Sequence, residues 1–171
     1  MAAGALDGAL SDSIVQMDFV IVELEGQRYG LRAGAVSEVV RAGTITHLPN
    51  APAAVEGVIN VRGALVAVLD LRGRFGLAER PLDPSEYFVL ARAGDRDVAL
   101  RVDGAIGLVA VESAAVDRAE PILRRSRYIA GVVKIDGGLV LIHDLESFLS
   151  EAEAATVDEA LAAHAVAGAG A

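Results

Sequence analysis

Two charged side chains in otherwise apolar surroundings invite chemistry. Glu38 stands in Val36-Ser-Glu38-Val39, and Arg62 in Asn60-Val-Arg62-Gly63. A carboxylate with a guanidinium beside it could be a catalytic pair, a brace between strands, or a charged pair on a binding surface. Exposed ion pairs stabilise little. A guanidinium suits an interface because its planar fork makes several hydrogen bonds and sheds water readily. Residue types alone leave the brace and the interface open, with catalysis by a small hydrolase a remote third.

Asp70 ends the apolar run LVAVLD, where the phosphoacceptor of a receiver domain would sit. A receiver also needs an acidic pair after its first strand and a lysine on a later one. Here the first strand reads DFVIVEL, and the sole lysine is Lys134. Asp144 stands in the same context as Asp70, each followed by Leu, so both are expected to take up free N–H groups of the turn that follows. His47, His143 and His164 lie far apart with no ligand spacing, and no cysteine is present, so no metal or cofactor is expected. No nucleophile elbow, phosphate loop or dinucleotide fingerprint occurs.

These residues must be positioned by a small β-rich body. The chain has 171 residues, 53% of them hydrophobic and only 4% aromatic, and a net charge of −9. Residues 1–17 hold two acidic groups and 146–171 hold five, with no basic residue in either. The body is therefore near neutral, and it lacks the basic stripe that a nucleic-acid partner requires. No apolar run approaches the roughly 18 residues of a membrane span.

From Asp18 onward, short runs rich in Val, Ile and Leu recur between Gly, Asp and Pro, the pattern of an all-β chain. Strands are expected at 18–24, 27–32, 35–40, 57–62 and 64–69, then at 86–92, 96–102, 105–111, 129–135 and 138–143. Residues 76–85 read as a linker. The period lengthens after Asp144, predicting a helix or two over about 145–165. Residues 1–17 and the last few, VAGAGA, read as disordered tails.

The two strand sets are related. Shifting 57–71 by 74 positions places it on 131–145 with seven identities in 15 and no gap. Shifting by 69 places Phe19-Val-Ile-Val on Phe88-Val-Leu-Ala, and Leu31-Arg32 on Leu100-Arg101. Two ungapped registers in one order imply an internal duplication. Asn60 and Arg62 share one strand face and become Lys134 and Asp136, while Glu38 becomes Gly107. The second half copies the core, not the charged pair.

Gly57-Val-Ile-Asn-Val-Arg-Gly-Ala-Leu-Val-Ala-Val-Leu-Asp-Leu-Arg-Gly-Arg-Phe-Gly76 resembles the signature of the CheW family of chemotaxis coupling proteins. Phe19, Tyr29-Gly30, His47-Leu-Pro49, Val102-Asp-Gly104 and Tyr128-Ile-Ala-Gly131 extend the likeness over about 18–150. The resemblance implies a mainly β fold of two packed SH3-like five-stranded β-barrels (first about 18–80, second about 86–145, edges open to exchange) with a C-terminal helix. It implies a cytoplasmic, non-enzymatic adaptor recruited to membrane-associated receptor arrays. Its partners would be a chemoreceptor cytoplasmic hairpin tip and the regulatory domain of a CheA-type histidine kinase, with room for self-association in rings and no insertion into the membrane. The receptor site would involve Val36, Glu38, Val39 and Arg62, with Leu108 from the second barrel, and Gly57, Asn60 and Gly63 would shape the interface. A double-barrel scaffold in a non-motility pathway is the alternative.

Overall fold

The computed structural model describes residues 15–118 and 128–169. Alternating Val, Ile and Leu fold into ten strands: β1 (Gln16–Leu24), β2 (Gln27–Arg32), β3 (Val36–Arg41), β4 (Val55–Val61), β5 (Ala64–Asp70), β6 (Tyr87–Ala93), β7 (Arg96–Val102), β8 (Gly104–Glu112), β9 (Ile129–Ile135) and β10 (Gly138–His143). A helix, α1 (Glu151–Ala169), follows. Every expected strand is present, with bounds moved by at most two residues.

The strands form two five-stranded sheets, ordered β8-β1-β2-β10-β9 and β3-β6-β7-β5-β4. Each therefore takes two strands from one half of the duplication and three from the other. The exchange runs deeper than the edges: neither 18–80 nor 86–145 builds a barrel by itself. Parallel pairing of β2 with β10, and of β5 with β7, stitches the halves together.

Each sheet is closed by one isolated bridge. Thr46 and Val58 exchange N–H···O bonds of 2.9 and 2.8 Å, and Asp117 and Val132 do the same at 2.8 and 2.9 Å. Closure removes the open edge on which another chain could pair. The bridges are repeat equivalents, and a glycine precedes each bridged strand residue. A Cβ on Gly57 would lie 2.2 Å from the Thr46 carbonyl oxygen, and one on Gly131 would lie 2.8 Å from Val116 Cγ1.

Three cores result. Phe19, Ile21, Val140 and Ile142 fill one barrel, and their counterparts Phe88, Leu90, Val66 and Val68 fill the other. A larger central core joins the barrels through Val22, Leu31, Leu69, Val89 and Leu100, and receives Phe148, Val157 and Ala160 from the C-terminal region.

The helix begins later than expected and runs further, to Ala169. Residues 145–150 form turns because a capping box fixes the start. Ser150 Oγ accepts from the Glu153 amide at 3.1 Å, and Glu153 Oε2 accepts from the Ser150 amide at 3.0 Å. Two orphan donors are thereby satisfied at once. Arg74 donates to both Glu153 oxygens at 2.6 and 2.7 Å, and Arg96 Nε donates to Asp158 Oδ1 at 3.0 Å. The helix is pinned to the 3-10 turn at Gly73–Phe75 and to the first residue of β7.

Candidate functional site

Glu38 reaches its place through a bulge. The β3–β6 register shifts between Val36 and Glu38, so Ser37 is the extra residue, and its hydroxyl donates to the Leu90 carbonyl at 3.1 Å. An extra residue re-aims the side chains beyond it. The second half keeps this device: the β1–β8 register shifts at the equivalent point, with Gly107 opposite Ile21.

Arg62 reaches its place through a turn. Arg62 and Gly63 have φ of +50° and +88° between β4 and β5, the geometry of a two-residue hairpin whose twist matches its strands. Asn60 Oδ1 accepts from the Gly63 amide at 2.8 Å and holds the turn. Arg62 Nη2 then meets Glu38 Oε2 at 2.8 Å, with the two side chains 76% and 37% exposed. The pair spans from β3, at one end of the sheet order, to the hairpin at the other. Val39 is exposed beside Glu38, Val36 packs half-buried on the central core, and Arg41 lies 4.9 Å over the Tyr87 ring.

The remaining predicted residues are dispersed. Leu108 is the repeat counterpart of Val39; it lies on β8 of the other barrel and is 66% exposed, with Ile106 exposed nearby. The close approach that Gly57 permits is to the chain's own Thr46. Asp70 Oδ1 accepts from the Arg72 amide at 3.0 Å, and Asp144 Oδ1 from the Glu146 amide at 3.1 Å. Both thus serve the turns that follow, and only the first leads into a 3-10 turn, at Gly73–Phe75. His143 is buried between Phe75 and Phe148. Among the described residues no group of three or more His, Asp or Glu is arranged to hold a metal ion.

Sequence reasoning missed the strongest electrostatic feature. Arg72, Arg101 and Glu86 are all but fully buried. Arg101 Nε donates to Glu86 Oε2 at 2.7 Å, and Arg72 Nη2 to Glu86 Oε1 at 3.3 Å. Arg72 also bonds Asp103, Arg101 bonds Glu56, and Arg80 Nη2 bonds Glu86 at 3.0 Å. Burial alone would push the Glu86 carboxyl up, but Arg101, the Asp83 amide and Arg80 hold it below the usual carboxylate range. Burial pushes Glu56 up, and Arg101 offsets only part of that. The available signal was an arginine inside each of the apolar runs VALRV and LDLRG. Such an arginine must carry its counter-charges inward.

A family model described as the CheW-like domain matches residues 18–153, well over half of the chain. The chain belongs to the CheW-like family. It is similar to the chemotaxis protein CheW of Klebsiella aerogenes, 26% identical over 96% of this chain and 100% of that protein. It is also similar to the chemotaxis protein CheW of Thermotoga maritima, 25% identical over 83% of this chain and 93% of that protein. Among solved structures, the scaffolding protein TtCheW from Thermoanaerobacter tengcongensis superposes with a TM-score of 0.73 at 26% identity, covering 80% of this chain and 95% of that one. The SH3-like double barrel is the CheW fold, and a CheW-like chain is a non-enzymatic scaffold. The exposed Glu38–Arg62 pair is accordingly read as a surface feature of a CheW-like protein and not as a catalytic dyad.

Proposed function

We propose that this chain is a cytoplasmic adaptor that couples chemoreceptor hairpin tips to the regulatory domain of a CheA-type histidine kinase in signalling arrays. The observation that carries the reading is the Glu38–Arg62 pair, 2.8 Å apart and set on a bulge and a hairpin turn that the fold maintains. It stands beside exposed Val39 and has no ion-pair counterpart in the second half, where Gly107 and Asp136 occupy the positions. A helical hairpin offers a ridge of aliphatic side chains flanked by charges, and a face of this composition reads it. Leu108 on the other barrel extends the apolar part. Each contact is modest, and array geometry supplies effective concentration.

The test is reconstitution of receptor cytoplasmic fragments, kinase and this protein on a templating vesicle, with kinase activation as the readout. Arg62→Glu is expected to cut coupling by about tenfold or more, as truncation of a central interface residue does. Its melting curve should barely move, because an exposed pair contributes about 0–1 kcal/mol. Full coupling by Arg62→Glu would overturn the assignment of this face.

A further inference from the structure

Within the first half of the duplication β1 pairs with β2 and β4 with β5; within the second, β6 pairs with β7 and β9 with β10. Every other strand pairing among the described residues joins one half to the other. β1 runs along β8 from Gln16↔Glu112 to Glu23↔Gly104, and β3 pairs with β6, β5 with β7, and β2 with β10. The two closing bridges stay inside the halves, Thr46–Val58 in the first and Asp117–Val132 in the second. Neither half buries its own core. Phe19 and Ile21 of the first pack with Val140 and Ile142 of the second, and Phe88 and Leu90 of the second with Val66 and Val68 of the first. The halves are related as two subunits that have exchanged strands, and residues 71–86 hold them in one chain.

That connection is anchored at both ends and exposed between. On the first half, Phe75 stacks on Tyr29 with ring centres 4.6 Å apart. On the second, the Arg80 and Pro81 carbonyls accept from Arg101 Nη2 at 3.0 and 2.9 Å, and Glu86 Oε2 accepts from Arg101 Nε at 2.7 Å. Ala78 and Glu79, between the anchors, are exposed. Extended, residues 75–80 span roughly 17 Å, enough to pass into a second body packed alongside. Arg72, which meets Glu86 at 3.3 Å, and Arg80, which meets Glu25 at 3.4 Å, would find the same partners there on the other copy.

We propose that two copies of this chain exchange halves: β1–β5 of each copy pairs with β6–β10 of the other, giving a dimer of two complete double-barrel bodies. Every strand pairing and every core is kept, and only the path of residues 76–79 changes, which is what makes such an exchange a low-cost route to a dimer. With each sheet closed by its bridge, a second copy has no open edge to extend, so exchange is the route left to it. At low concentration the connection favours the monomer, because it presents each half to the other at an effective concentration of about 1 mM. Glu38 and Arg62 both lie in the first half, so the exchanged dimer carries that pair twice and is bivalent toward whatever reads it. The inference rests on the topology of the chain and is independent of the adaptor reading.

The chain has no cysteine, which makes the exchange directly readable. Asp18 and Ala110 face each other in the β1–β8 register and both are exposed, at a separation that a disulfide spans. Full chains carrying Asp18→Cys alone and Ala110→Cys alone are mixed, unfolded in urea, refolded together and oxidised, once at about 2 mM, above the effective concentration of the connection, and once at high dilution. The expected product is a disulfide between the two different substitutions, in a particle of twice the chain's mass with native circular dichroism, abundant at the higher concentration and scarce at the lower. Cross-linking only between like substitutions, or none, would overturn the proposal. The double variant Asp18→Cys/Ala110→Cys, refolded at high dilution, checks that the site links, and it is expected to close within one chain. If it does not, Gln16→Cys and Glu112→Cys, an exposed pair in the same register, replace it in both arms. A concentration-dependent dimer in which the double variant still closes only within one chain would be a surface contact between unexchanged copies and would overturn the proposal too.

Discussion

Glu86 lies between Arg101 and Arg72, accepting from the first at 2.7 Å and the second at 3.3 Å, with all three side chains out of solvent. These residues come from β7, from the turn after β5 and from the segment entering β6, so one carboxylate fastens three places that the strand exchange brings together. Removing one partner of a buried pair leaves an uncompensated charge, which costs about 3–5 kcal/mol. Glu86→Gln is expected to lose stability in that range, measured by urea unfolding at neutral pH.

The same carboxyl sets an acid limit. Its pKa is held below the usual value in the folded chain, so its contribution is present above the unfolded pKa and is lost as pH falls through the folded one. Unfolding midpoints of the native chain should therefore drop steeply below about pH 4.5, the ordinary Glu value. Glu86→Gln should flatten that part of the profile. An unchanged acid limb in Glu86→Gln would place the titration elsewhere.

His143 governs a higher window. Burial pushes its imidazole down to about 4, with Asp144 opposing weakly, and neither ring nitrogen has a hydrogen-bond partner among the described residues. The unfolded chain binds this proton near pH 6.5 and the folded chain only near 4. Stability is thus fully present above 6.5 and declines as pH falls toward 4, by roughly 3 kcal/mol over the whole interval. His143→Leu installs the residue of the other repeat, Leu69. It should remove the slope between pH 6.5 and 4.5 in thermal melts, leaving the Glu86 limb intact.

Gly57 and Gly63 separate two uses of glycine. A methyl group on Gly57 collides with the Thr46 carbonyl across the closing bridge, whereas nothing lies within 4 Å of the Gly63 position. Gly57→Ala must displace backbone and should cost about 1–3 kcal/mol or more. Gly63→Ala carries only the left-handed penalty of about 1–2 kcal/mol. Chemical denaturation of both variants checks the order. A reversed order would remove barrel closure as the reason for Gly57.

The repeat was legible because period-two burial writes itself into residue type, and the same columns recur at Phe19 and Phe88 or Val66 and Val140. The exchange of strands was not. Local pattern fixes that β2 and β10 exist, but their parallel pairing depends on contacts more than 100 residues apart in the chain. The helix start was readable in Ser150-x-x-Glu153, yet the apolar spacing of Leu145, Phe148 and Leu149 outweighed it. Leu145 and Phe148 are buried in the central core and Leu149 packs half-buried against it, all without forming a helix. Arg72, Glu86 and Arg101 were hidden for a related reason: a charged residue reads as surface until a partner from a distant segment is known. Glu38 and Arg62 could be singled out because the duplication failed to copy them.

That failure to copy suggests the most discriminating experiment on the pair. If Glu38 and Arg62 serve only to brace β3 against the β4–β5 hairpin, exchanging them as Glu38→Arg with Arg62→Glu keeps an ion pair and restores everything. If a partner reads each charge in its own place, the exchange restores the pair and presents both signs reversed. Because the two side chains are 37% and 76% exposed, the pair is wet and contributes about 0–1 kcal/mol. The brace alone therefore cannot account for a large functional loss. The doubly exchanged protein is expected to melt with the native chain and to remain uncoupled in the reconstituted kinase assay. Recovery of coupling to native levels by the exchange would assign the pair to the fold and remove it from the partner-binding face.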